Sequence, residues 1–145
     1  MSFDLYAFDL FAAPRDRYDF VDWISRTFRH IDGPGGDATH TTPALRAWHQ
    51  EMAASFPGAR DPHHHDFDSD DVTKNANYRF TQSAVQASFD WESAGPALHR
   101  AKRAAMTHGV GLFDASGREG AVWMISPRGR WEVVHRNNDQ QRDFG

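Results

Sequence analysis

The 145-residue chain carries a net charge of −4, 13% aromatic residues and no cysteine. That length suits one domain with a proper core, and the aromatic content is too high for a disordered chain. Disulfides, thiolate catalysis and zinc–thiolate sites are excluded. No apolar run reaches membrane-spanning length, and the N-terminus lacks the basic and apolar segments of a signal peptide, so a cytoplasmic protein without a membrane partner is expected.

Ser2 to Phe11 reads as a strand that is apolar on both sides, with Phe3, Leu5 and Ala7 on one and Tyr6, Phe8 and Leu10 on the other. A strand of that kind belongs inside a sheet. Pro14 suits the first turn of a helix whose buried stripe is Phe20, Val21, Ile24 and Phe28, and Asp32 to Asp37 has turn chemistry. Thr42-Pro43 is an N-cap followed by proline at the first helical position. Leu45, Trp48, Met52 and Phe56 line one face of this second helix, and Pro57-Gly58 ends it. Ala59 to Asn77 has no periodicity and reads as a long loop.

Strands follow at 78–82 and 84–91, the second marked by the alternation of Val85, Ala87, Phe89 and Trp91 with polar residues. Ser93 is placed to cap a third helix, which carries Ala97, Leu98, Ala101 and Ala105 at helical spacing and stops at Gly109. Val110 to Asp114 returns as a strand. A hairpin pairs Val122–Ser126 with Trp131–His135 across Pro127-Arg128-Gly129, and residues 136–145 form a polar tail.

The resulting expectation is a single α+β domain over residues 1–135, a ferredoxin-like βα(α)ββαβ sandwich with an added C-terminal β-hairpin. The helices of residues 14–30 and 94–108 are expected on one face of the sheet, with the second helix as the insertion. The expected core is Leu5, Phe8, Val21, Ile24, Leu45, Trp48, Met52, Phe80, Phe89, Trp91, Leu98, Ala101 and Leu112.

Chemistry is harder to find. Asp61-Pro-His-His-His-Asp-Phe-Asp-Ser-Asp-Asp71 holds five aspartates and no Lys or Arg, so the rest of the chain is near neutral. His63, His65 and Asp66 are weak metal candidates, because adjacent histidines in a loop diverge. The Asp66-x-Asp68-x-Asp70 pattern lacks the glycine and glutamate of a calcium loop. No metal or other cofactor is therefore expected, and the segment reads as a solvated acidic loop. Asp4, Asp9, Asp90 and Asp114 lie in or beside strands, where capping or pairing with Arg explains them better than acid–base catalysis. His49 is expected at the surface, and His108 beside the helix C-terminus complements its dipole. Trp23 and Trp131 are expected to be partly exposed, and Trp is favoured at binding hot spots. A nucleic-acid role is disfavoured by the net charge and because the cations of the third helix alternate with small apolar residues, not stacking aromatics.

Met1-Ser-Phe-Asp-Leu-Tyr6, Thr42-Pro-Ala-Leu-Arg-Ala-Trp48, Glu51-Met52 with Phe56-Pro57, Tyr78 through Ala87-Ser-Phe-Asp-Trp91, and His108-Gly-Val-Gly-Leu-Phe-Asp-Ala-Ser-Gly117 together form a recognisable set. Over about residues 1–125 the chain resembles a group of small uncharacterised bacterial proteins, and small α/β proteins of this sort often resemble immunity proteins of bacterial toxin systems. The resemblance carries no catalytic residue. It implies a protein-binding inhibitor, a toxin as cognate partner, and no enzymatic activity. Asp66, Asp68, Asp70, Asp71 and Trp131 are the expected contact residues. The alternative is a small enzyme or small-molecule-binding domain with a pocket between sheet and helices.

Overall fold

The computed structural model describes residues 3–29, 41–57, 76–117 and 119–136. Its elements are β1 (Phe3–Phe8), α1 (Arg17–Arg29), α2 (Pro43–Ser55), β2 (Ala76–Phe80), β3 (Ala84–Phe89), a short 3-10 turn (Trp91–Ser93), α3 (Ala94–His108), β4 (Gly111–Asp114), β5 (Ala121–Ile125) and β6 (Trp131–Arg136). The strands form one six-stranded sheet in the order β2-β3-β1-β4-β5-β6, antiparallel at every pairing. The α+β class stands. Among the described residues no helix is long and apolar enough to cross a membrane.

β1 sits inside the sheet, as its two apolar sides require. Phe3, Leu5 and Ala7 belong to one buried cluster together with Leu45, Trp48 and Met52 of α2 and Ala97, Ala101, Ala104 and Ala105 of α3. Phe8 belongs to a second cluster with Phe20, Ile24 and Phe28 of α1 and Val122 and Met124 of β5. The expectation that the first and third helices share a face is therefore overturned: α1 covers one side of the sheet, and α2 and α3 cover the other. The neighbour of α3 is α2, the helix read as an insertion. Periodicity shows that a helix has an apolar stripe, but not which side of the sheet receives it.

The element boundaries follow local chemistry. β1 stops at Phe8 because Asp9 begins a turn: its carboxylate accepts from the Phe11 amide at 3.0 Å, and its carbonyl accepts from Ala12 and Ala13. Phe11, read as the strand's end, is left 99% exposed. α1 starts later than Pro14 suggested, because the Asp16 carboxylate accepts from the amides of Tyr18 and Asp19 and so caps it. α2 starts as read, with Thr42 Oγ1 accepting from the Leu45 amide at 3.2 Å and Pro43 at the first position. Ser93 makes no side-chain cap bond, whereas Gly109 ends α3 in the left-handed region at φ 71°. Gly111 opposes Phe8 in register, and a Cβ there would lie 2.2 Å from the Phe8 ring. Only glycine lets that ring lie across β4.

Most of the expected core is buried, with four exceptions. Val21 is 39% exposed, because the line of α1 that meets the sheet is Phe20, Ile24 and Phe28. Phe80 and Leu98 are half-buried at the margin of the α2–α3 cluster. Trp91 is 48% exposed. The alternation of β3 ends at Phe89; Trp91 opens the following turn and packs edge-on against Phe3 at 5.3 Å between centroids. In the dry interior, Trp48 instead directs its indole N–H to the carbonyl of Ala101 at 3.2 Å, joining α2 to α3.

These positions make opposite demands on the two tryptophans. Trp48→Ala is expected to cost about 3–5 kcal/mol. Trp91→Ala, which removes only a half-exposed ring, should cost about 1 kcal/mol or less. Urea denaturation midpoints of the two variants measure the contrast; equal losses would contradict it.

Candidate functional site

The expected contact residues Asp66, Asp68, Asp70 and Asp71, and the metal candidates His63 and His65, lie outside the described residues. The structure does describe the corner from which their segment leaves and to which it returns. Ala76 N–H donates to the carbonyl of Pro57 at 2.9 Å, and the Tyr78 hydroxyl donates to the carbonyl of Phe56 at 2.7 Å. The buried Phe56 ring packs edge-on against Phe89 of β3 at 5.4 Å. The end of α2 and the start of β2 are thus locked together. Burial raises the Tyr78 phenol well above its ordinary pKa, so the hydroxyl stays a donor.

His49 belongs to the same corner. Expected at the surface, it is half-buried, with its ring edge-to-face against Tyr78 at 4.6 Å and Phe80 at 4.8 Å. A polar residue on an amphipathic helix reads as exposed until the aromatic side chains of another element come to cover it. His108 likewise does more than cap α3: its Nε2 lies 3.1 Å from Glu51 Oε1 of α2.

On the α2–α3 side, the last expected contact residue, Trp131, is half-buried as anticipated. Its ring is stacked on Trp123 at 5.8 Å with 8° between planes, and its indole N–H donates to the carbonyl of Val110 at 3.2 Å. Lys102 of α3 places its ammonium 4.7 Å from the Trp123 ring centre. Sequence reading singled out Trp131 but not its meeting with Trp123 and Lys102, since the helix and the two strands are separate in the chain.

On the α1 side, the registers align Arg79, Gln86, Tyr6, Phe113, Val122 and His135 in one row across all six strands. Arg79 donates to Gln86 Oε1 at 3.0 Å, and Gln86 Nε2 donates to the Tyr6 hydroxyl at 3.1 Å. Burial raises the Tyr6 pKa, the nearby Asp4 raises it further, and Arg79 opposes both. At the far end of the row His135 meets the Phe20 ring at 5.4 Å; burial lowers its pKa, Arg17 lowers it further, and Asp16 opposes.

The four strand-associated carboxylates do not assemble. Asp9 is at one end of β1, in its turn, and Asp4 is toward the other. Asp90, read as part of a central strand, lies just beyond β3 and is exposed. Asp114 is buried opposite Leu5. Burial raises its carboxyl pKa, while the Gly117 amide and Lys102 pull it down. Among the described residues, no group of three or more His, Cys, Asp or Glu is arranged to hold a metal ion.

No known family model matches the sequence, and neither a curated protein nor a solved structure matches it. The chemistry of the molecule therefore rests on its own residues.

Two outcomes are expected from this geometry. Tyr78→Phe removes one hydrogen bond at the corner and should lower stability by about 1 kcal/mol. The Ala76 amide should then exchange with deuterium faster; exchange unchanged from the parent would show that the bond does not hold the corner. Burial and Arg17 lower the His135 pKa in the fold, so below about pH 6.5 the unfolded chain takes up the proton more readily and stability falls. Melting temperatures at pH 7.5 and 5.5 should therefore differ less in His135→Gln than in the parent.

Proposed function

We propose that the chain is a protein-binding inhibitor acting in the cytoplasm, of the kind that neutralises a cognate bacterial toxin, and that its acidic segment meets a basic partner. The observation that carries this reading is the locked corner. The Ala76–Pro57 and Tyr78–Phe56 hydrogen bonds tie both ends of an insertion with five aspartates to the buried framework. Fixing the ends of a charged segment lowers the entropy lost when it binds, and concentrated charge of one sign accelerates encounter with an oppositely charged partner. If the target is a nuclease, Asp66, Asp68, Asp70 and Asp71 stand where nucleic-acid phosphates would lie.

We further read the framework as a ferredoxin-like unit made of the first four strands with α2 and α3, to which α1 and the β5–β6 hairpin are added. Supporting this are the order β2-β3-β1-β4, with β1 and β3 inside, and the shared cluster of α2 and α3. The framework then serves as a rigid mount, and recognition belongs to the insertion and to Trp131.

Replacing Asp66, Asp68, Asp70 and Asp71 together by Asn tests the reading. The melting temperature should change little. Association with the cognate toxin, taken from the gene next to this one, should slow and lose most of its salt dependence. Trp131→Ala should instead speed dissociation. Full protection of toxin-expressing cells with unchanged binding kinetics in the four-Asn variant would reject the acidic segment as the contact. Turnover of a small molecule by the isolated protein, abolished by one His or Asp substitution, would reject inhibition as the function.

A further inference from the structure

The β5–β6 end of the molecule has a chemistry opposite to that of the acidic segment. From Pro96 to Arg136 the sequence holds seven Lys or Arg against three acids. Of those three acids, the buried Asp114 lies near enough to Lys102 for the ammonium to pull its carboxyl pKa down, and Glu119 is bonded to Arg136 at 2.8 Å. Glu132 opposes Met124, whose side chain lies in the α1 cluster, so it faces the other side of the sheet.

On the α3 side, helical spacing puts Leu98, Lys102 and Met106 on one line, with His99 and Arg103 beside it. Lys102 meets Trp123, Trp123 stacks on Trp131, and Met106 is 58% exposed. The turn leading into Trp131 exposes Arg128 and Arg130. Its conformation is defined: Gly129 is left-handed at φ 79°, and the Ser126 hydroxyl accepts from the amides of Arg128 and Arg130. Among the described residues the sheet has no further strand beyond β6. Val134 is an extra residue in the β5–β6 register, a bulge of the sort that discourages strand addition at an edge. A side-chain surface, not a strand edge, is what this end offers.

We propose that this shelf binds single-stranded nucleic acid, with a base stacking on the Trp131 indole and neighbouring phosphates lying against Lys102, Arg128 and Arg130. Two features favour this occupant over an acidic peptide. The Val110 carbonyl holds the Trp131 ring in a fixed plane, which suits stacking on a base. The exposed turn that leads into Trp131 carries two arginines, whose guanidinium groups suit phosphates spaced along a strand. The sequence argument against nucleic acid sought aromatics within α3; the fold supplies them from β5 and β6.

Titration of the full chain at low salt with a dT oligonucleotide and a matching rU oligonucleotide tests the proposal by tryptophan fluorescence and anisotropy. Both should bind with quenching, since stacking and phosphate pairing do not read the sugar. Polyglutamate and anionic vesicles serve as polyanion and membrane controls. Trp131→Phe should weaken oligonucleotide binding about tenfold by reducing the stacking surface. Arg128→Gln with Arg130→Gln, both in an exposed turn and harmless to folding, should lower the slope of log affinity against log salt by about 1.4. Absence of oligonucleotide binding at low salt would overturn the proposal. So would polyglutamate or vesicles binding as tightly, or a double arginine variant that binds as the parent does. The inhibitor reading shares Trp131 with this proposal but not Arg128 and Arg130, so the double arginine variant tests this inference and the four-Asn variant tests the acidic segment, each without the other.

Discussion

The burial of β1 on both sides is the constraint on which the rest of the structure depends. Leu5, Ala7 and Phe8 have no measurable exposure, and Phe3 has 4%. An antiparallel sheet often leaves one face to water, but a strand with apolar groups on both sides makes that costly. Each side must be covered by its own helical layer. The chain meets this demand by sending α1 to one face and α2 with α3 to the other.

The two layers solve the packing problem differently. Against α1 the contacts are aromatic: Phe8, Phe20, Trp23 and Phe113 meet at ring separations of 5.0–6.1 Å, mostly edge-on or tilted. Against α3 the helix contributes Ala97, Ala101, Ala104 and Ala105, small enough for its backbone to lie close to its neighbours. That closeness brings the Ala101 carbonyl within reach of the Trp48 indole. The large side chain on that side comes from α2, and its one polar atom is satisfied by the helix beside it. Large-to-small substitutions should be most damaging at Trp48 and Phe20, where a single ring fills the interface.

Charge is arranged around this framework and does not hold it together. The Arg26–Asp22 and Arg136–Glu119 ion pairs are at the surface, where such pairs contribute little to stability. The aspartate-rich insertion opens from the α2–β2 corner, while cations gather near α3 and the β5–β6 turn. A molecule of net charge −4 thus carries segments of opposite sign, and net charge alone is a poor guide to its partners.

The sequence by itself determined the elements whose signals are local. Thr42-Pro43 opens α2 because a hydroxyl and a fixed proline φ act within one turn. Gly109 closes α3 because only glycine enters the left-handed region cheaply, and the alternation of β1 implied its interior place. The sequence also located the acidic segment and Trp131. Its errors came where the answer depended on another part of the chain. Trp91 continues the period of β3 but lies past its end, Val21 shares a helix with the buried line but not its face, and His49 is covered by Tyr78 and Phe80. Only the tertiary structure decided which side of the sheet receives each helix, which side chains share a cross-strand row, and that Lys102 meets Trp123. Those outcomes depend on strand register and on the layering of elements distant in sequence. Periodicity fixes the direction of a side chain relative to its own backbone and carries no information about what it will meet.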